Sequence, residues 1–277
     1  MKKLWAIAVA AVAFAPVLVM GQPPADAQVR GKQIVDDAIA ALGGQKFLNV
    51  QNRTESGRAY SFFQNQLSGL SVARFETRYV PVDPAKSDSV VGQQEYQGLG
   101  KEEAFYVVFR EEGGWEVTYR GPTKLEKDQI ERHHESVLHN VFYIMRYRLN
   151  EPGMVFEFQR SDVVDNMPVN IVDFIDSKNR VVTVYFHPTT KLPVRQSWVW
   201  READTRERNE EVTQFSRYRE VEGTQWPFQV HRERNGQKTY EMFADTVQIN
   251  QTIDDARFAI PTAESRPFKP EKKSKKR

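Results

Sequence analysis

Between residues 154 and 249 the chain repeats one pattern: a segment of alternating apolar and polar residues, then a turn. The segments fall near 154–162, 168–176, 180–187, 192–201, 210–219, 226–234 and 238–249. A period of two is that of a β-strand with two distinct faces. Several gaps carry turn chemistry: Asp165-Asn166, Asp176-Ser177-Lys178-Asn179, His187-Pro188, Glu222-Gly223 and Asn235-Gly236, the last being the strongest short hairpin signal. None of these gaps holds the dozen or more residues that a parallel crossover needs. The segments must therefore run antiparallel, as a long meander.

The first half of the chain adds to the same sheet. Val29 to Leu42 carries Ile34, Ala38, Ala41 and Leu42 at helical spacing and stops at Gly43-Gly44, as a left-handed helix cap does. Period-two patterns follow at 58–63 and 72–80, and 104–110 and 115–120 flank Glu111-Glu112-Gly113-Gly114 as a hairpin. From Lys124 to about Arg148 the pattern is helical, with Ile130, Val137, Leu138, Val141, Phe142, Met145 and Leu149 recurring mostly every three or four residues. About eleven strands and two helices with short links make a mainly β (α+β) chain. The economical arrangement is one strongly curved antiparallel sheet with the N-terminal and mid-chain helices laid across it. The 277 residues are 40% hydrophobic and 12% aromatic, enough for one substantial core. No linker chemistry interrupts residues 28–263, which read as a single domain.

Both ends differ from this body. Lys2 and Lys3 precede an uncharged run from Leu4 to Met20, and Ala25-Asp26-Ala27 is a small-x-small site. Residues 1–27 therefore read as a cleaved secretory signal, placing the mature chain outside the cytoplasm. Residues 264–277 hold Arg266, Lys269, Lys272, Lys273, Lys275, Lys276 and Arg277 against Glu264 and Glu271. Such a segment cannot bury a face and is expected to be a disordered basic tail, either a solubilising end or a contact for an anionic membrane surface. The whole chain nets only +2, so charge gives no reason to expect a nucleic-acid partner.

Reactive chemistry is hard to find. There is no cysteine, which removes disulfides, thiolate metal sites, cysteine nucleophiles and an acylated N-terminal Cys. His133-His134-Glu135-Ser136-Val137-Leu138-His139 resembles a zinc signature, but His134 and His139 are five residues apart and cannot share a helical face. His134 falls with Ile130, Leu138 and Val141 and is expected to pack rather than to bind a metal. The acidic pairs Asp36-Asp37, Glu102-Glu103, Glu111-Glu112, Glu210-Glu211 and Asp254-Asp255 place neighbours on diverging sides, unlike facing catalytic carboxylates. No nucleophile elbow, phosphate loop or dinucleotide fingerprint occurs. The expectation is a non-enzymatic protein without cofactor or metal.

What remains is apolar. Phe156 and Phe158 alternate on one strand, Phe174 stands on another, Trp198 and Trp200 on a third and Phe228 on a fourth. A curved sheet burying these residues either fills its interior with them or encloses a hydrophobic ligand. All six are candidate lipid-binding wall residues, Trp198 and Trp200 above all, because two indoles two residues apart face the same way.

Three passages carry a family resemblance. His187-Pro188-Thr189-Thr190-Lys191-Leu192-Pro193 looks like a turn between two strands of the LolA/LolB-like carrier superfamily. Tyr218 to Phe228, with Gly223, Trp226 and Pro227, resembles its strand, glycine, aromatic, proline, phenylalanine passage. Val247-Gln248-Ile249-Asn250 followed by Asp254 to Pro261 resembles its ending. Together with the helix ending Leu42-Gly43-Gly44, the match runs in order over residues 30–261. The resemblance implies an open half-barrel capped by helices, whose concave side holds a lipid or lipoprotein acyl chain in the periplasm. A second reading uses the same sheet: a non-enzymatic envelope sensor or interaction module with a protein partner.

Overall fold

The computed structural model describes residues 25–87, 89–202 and 205–261. The expected leader and the basic tail 264–277 lie outside the described residues, apart from Ala25-Asp26-Ala27, which open the first helix.

Among the described residues, thirteen strands form one antiparallel sheet. The first six are β1 (Asn52–Phe63), β2 (Gln66–Tyr79), β3 (Gln93–Leu99), β4 (Phe105–Arg110), β5 (Gly113–Thr118) and β6 (Gly121–Lys124). After a helical interruption come β7 (Val155–Val164), β8 (Met167–Ile175), β9 (Val181–Phe186), β10 (Pro193–Arg201), β11 (Arg208–Val221), β12 (Thr224–Arg234) and β13 (Gln237–Ile249). Each run is a meander, and the two are sewn together by β1 against β13, so that β6 and β7 form the two open edges. The expected open, curved, mainly β sheet is present, with thirteen strands in place of about eleven.

The two additional strands are β3 and β6. β6 has only four residues, and β3 reads Gln93-Gln94-Glu95-Tyr96-Gln97-Gly98-Leu99, with polar residues where an alternating strand usually shows its apolar side. β1 also begins at Asn52 rather than at 58, because Arg53 and Glu55 stand where apolar residues were sought. Four two-residue hairpins use the same chemistry: Gln64-Asn65, Asp165-Asn166, Glu222-Gly223 and Asn235-Gly236 all have positive φ at both positions, as type I′ turns require.

Helix α1 (Ala25–Leu42) lies on the end of the sheet at β7. Its Val35, Ala38, Ile39 and Leu42 are buried in the main core. Gly31 lets it come so close, since a Cβ there would stand 2.3 Å from the carbonyl oxygen of Phe156. The helix ends at Gly43, φ +123°, and Gly44, φ +56°, as the sequence leads one to expect. A single turn, α2 (Gln45–Leu48), then buries Phe47.

The mid-chain segment is not one helix. α3 (Lys127–Leu138) breaks at His139-Asn140 and a short α4 (Val141–Tyr143) runs into a π-turn, Ile144–Arg148. Two amides cause the break. Asn140 Oδ1 accepts from the backbone N–H of Phe142 at 3.0 Å and of Tyr143 at 3.1 Å. Buried Gln196 of β10 accepts from Val141 N–H at 2.8 Å and donates to the His139 carbonyl at 3.1 Å. These bonds satisfy helix-end groups that would otherwise be buried and unpaired. The π-turn is anchored by Arg148, which pairs with Glu151 at 2.6 Å and Asp176 at 2.8 Å, all three buried.

Candidate functional site

The face of the sheet that meets the helices differs in character from one end to the other. Under α1, Phe156, Phe174 and Phe186 pack against one another: Phe156 and Phe174 meet edge to face at 4.8 Å, and Phe174 and Phe186 stack at 6.2 Å. Val172, Val184, Phe142, Ile144 and Met145 complete a filled core. Under α3 the sheet is instead hollow. A cavity of about 380 Å³ lies over β1, β2, β3, β11, β12 and β13, and a compartment of about 160 Å³ continues it beneath α3. The two share Arg53, Glu55, Glu95, Gln97, Pro227, Val230 and Arg232.

Strand alternation places these side chains together. Arg53 and Glu55 project from one side of β1, Glu95 and Gln97 from β3, and Phe228, Val230, Arg232 and Arg234 from β12. Phe75, Leu99, Tyr240 and Met242 add an apolar strip. The polar members are interlocked. Glu55 accepts from the Trp226 indole at 2.6 Å and lies 3.3 Å from Arg53, which also donates to the Tyr79 hydroxyl at 2.8 Å. Burial works against the Arg53 charge, but Glu55, Tyr79 and Glu95 hold the guanidinium above its ordinary value. Glu95 accepts from Gln93 at 2.9 Å and from Gln97 at 2.7 Å. Burial pushes the Tyr240 hydroxyl well up, so it is a donor at any physiological pH.

His133 closes the compartment from the α3 side. Its ring stacks on Phe109 at 3.5 Å between centroids, its Nε2 has no hydrogen-bond partner among the described residues and lies 3.8 Å from Glu95, and burial lowers its pKa to about 4. The neighbouring His134 is half-buried. His139 caps α3 and stacks on Trp198 at 4.2 Å.

The six aromatic residues singled out from the sequence fall in three places. Phe156 and Phe174 belong to the filled core, and Phe158 is half-buried beneath the Arg30 guanidinium, 3.6 Å from its ring centre. Trp198 and Trp200 line a separate depression of about 680 Å³ with Arg160, Asp173 and Arg208. Phe228, a buried member of the same core cluster as Phe156 and Phe174, also lines the cavity of about 380 Å³. The residues sequence reasoning passed over are Arg53, Glu55, Glu95, Gln97 and Arg232. Their signal was charge or amide recurring at every second position of a strand, as in Arg53 and Glu55 or Arg232 and Arg234.

No protein-family model matches the chain, and no curated protein matches it by sequence. Solved structures do resemble it. A DUF1329 family protein from Desulfovibrio piger ATCC 29098 aligns over 82% of this chain and 96% of its own, at 11% identity and a TM-score of 0.53. A domain named for outer membrane lipoprotein sorting, from Vibrio parahaemolyticus, aligns over 83% and 97%, at 10% identity and a TM-score of 0.51. These likenesses are likenesses of fold, and they run over most of the chain, as the sequence motifs do.

Proposed function

We propose that the protein is a non-enzymatic carrier or binding protein for a lipid or lipoprotein acyl chain. It works in the periplasm after removal of residues 1–27, with 28–263 as its one domain. The observation that carries this reading is the cavity of about 380 Å³ that continues from the compartment under α3, where Phe75, Leu99, Phe228 and Met242 offer hydrocarbon contact. Burial of a chain there contributes about 0.8 kcal/mol per CH₂. The Vibrio domain's name supports the same reading, and the basic residues of 264–277 would hold the protein near anionic headgroups.

Native mass spectrometry of the protein from its own envelope fraction, followed by organic extraction, tests the proposal. A stoichiometric co-purifying lipid or acylated protein is expected. An apo mass together with no uptake of a fluorescent fatty acid would contradict it.

A second reading, an envelope sensor or protein-interaction module, is favoured by one feature. Phe63, Leu67, Leu70 and Val72 on the β1–β2 hairpin are 58–69% exposed. Exposed apolar clusters of this kind mark interaction surfaces. Capture of an envelope protein by lipid-free protein, lost on Leu70→Asp, would support this reading over the first.

A further inference from the structure

We propose that the hollow under α3 takes an amphiphile with a negatively charged head, a carboxylate or a phosphate ester, seated at Arg232 with its tail along Phe75, Leu99, Phe228 and Met242. The inference rests on the carrier reading and narrows its ligand.

Three arginines line the cavity, and two of them are engaged. Arg53 is held by Glu55, Tyr79 and Thr77, and Arg234 donates to Glu211 at 2.6 Å. Arg232 has no carboxylate within ion-pair distance among the described residues; its guanidinium lies 5.6 Å from the ring centre of Tyr240. It stands at the junction of the two compartments, lining both. The three carboxylates of the lining are each occupied already: Glu55 by Trp226 and Arg53, Glu95 by Gln93 and Gln97, Glu211 by Arg234. Lining charge therefore balances in number but not in place: Glu95, bonded by neutral amides, and Arg232 are the two lining members without an opposite charge, and of the two Arg232 is the exposed one.

Two further polar groups lie near this position: the Tyr240 hydroxyl, which stays protonated, and buried His133 Nε2, which makes no hydrogen bond among the described residues and lies 3.8 Å from a Glu95 carboxylate oxygen. The fields of Arg232 and Glu95 act on both groups in opposite directions. A guanidinium without a carboxylate partner beside an apolar strip matches a ligand that is anionic at one end and hydrocarbon at the other. The larger compartment, about 380 Å³, sits at the low end of the roughly 300–1,000 Å³ of ligand pockets, which suits one tail rather than several.

The test compares three probes of equal chain length: palmitate, palmitoyl-lysophosphatidylglycerol and the neutral monopalmitoylglycerol. Each is titrated into the wild type and into Arg232→Gln, Arg232→Lys and Tyr240→Phe, with circular dichroism to confirm folding. Arg232 is exposed, so the variants are expected to fold. The wild type should bind one or both anionic probes roughly tenfold more tightly than the neutral one, the equivalent of about 1.4 kcal/mol. Which of the two binds better separates a carboxylate site from a phosphate site. Arg232→Gln should erase the preference, Arg232→Lys should keep part of it, and added salt should weaken it. Equal affinity for all three probes, or a preference untouched by Arg232→Gln, would overturn the inference while leaving the carrier reading standing. Binding of none of them would count against the carrier reading itself.

Discussion

Under α1 and under α3 the same sheet meets a helix with opposite results. α1 comes into backbone contact with β7 because Gly31 has no side chain, and Phe156, Phe174 and Phe186 fill what space is left. α3 faces Arg53, Glu55, Glu95 and Gln97, a polar floor held by Gln97 donating to Glu95, Arg53 to Tyr79 and Thr77, and Trp226 to Glu55, and a hollow remains. The difference teaches that an open sheet becomes a core or a cavity according to what its inward positions carry. The alternating pattern builds the strands in both regions; only the inward side chains decide whether the space closes.

Substitutions at the two regions should therefore differ in cost. Phe174→Ala, in the filled region, is expected to lose about 3–5 kcal/mol of stability in urea unfolding. A loss under about 1 kcal/mol would mean that this region too is loosely packed.

Next in size is the pH response of the hollow region. His133 is buried neutral, with a folded pKa of about 4 against an ordinary 6.5. Besides burial, Glu95 raises this value while His134 and Arg232 lower it. A depressed folded pKa on a base means that the unfolded chain binds more protons, so stability is full above pH 6.5 and falls as pH drops toward 4. The loss is on the order of 2–3 kcal/mol. In His133→Phe the slope over this window should flatten; an unchanged slope would assign the acid sensitivity to other groups. The smallest effect is expected for Leu99→Ala, whose side chain lines the cavity. It should cost about 1 kcal/mol or less while weakening hydrocarbon binding, the inverse of Phe174→Ala.

The meander from β7 to β13 was legible because its inward side is apolar and its turns are written in Asn, Asp and Gly. β3 was not, since Gln93, Glu95 and Gln97 face inward and leave only Tyr96 and Leu99 as apolar markers. The same polarity hid the floor of the cavity, and with it the part that Arg53 and Arg232 play. The six aromatics were legible as buried or half-buried, but periodicity alone could not divide Phe174 in a core from Phe228 on a cavity wall. That division depends on how closely each helix approaches, and at α1 one glycine sets the distance. The broken mid-chain helix was equally hidden, since the amide that clamps it, Gln196, lies on a distant strand.

Hydrogen–deuterium exchange with and without saturating palmitate tests the central claim most directly, because it reports on both regions at once. The account predicts slowed exchange in α3, residues 127–138, and along 226–242, with residues 25–42 of α1 unchanged. Protection confined to α1 and β7, or around Trp198 and Trp200, would contradict it.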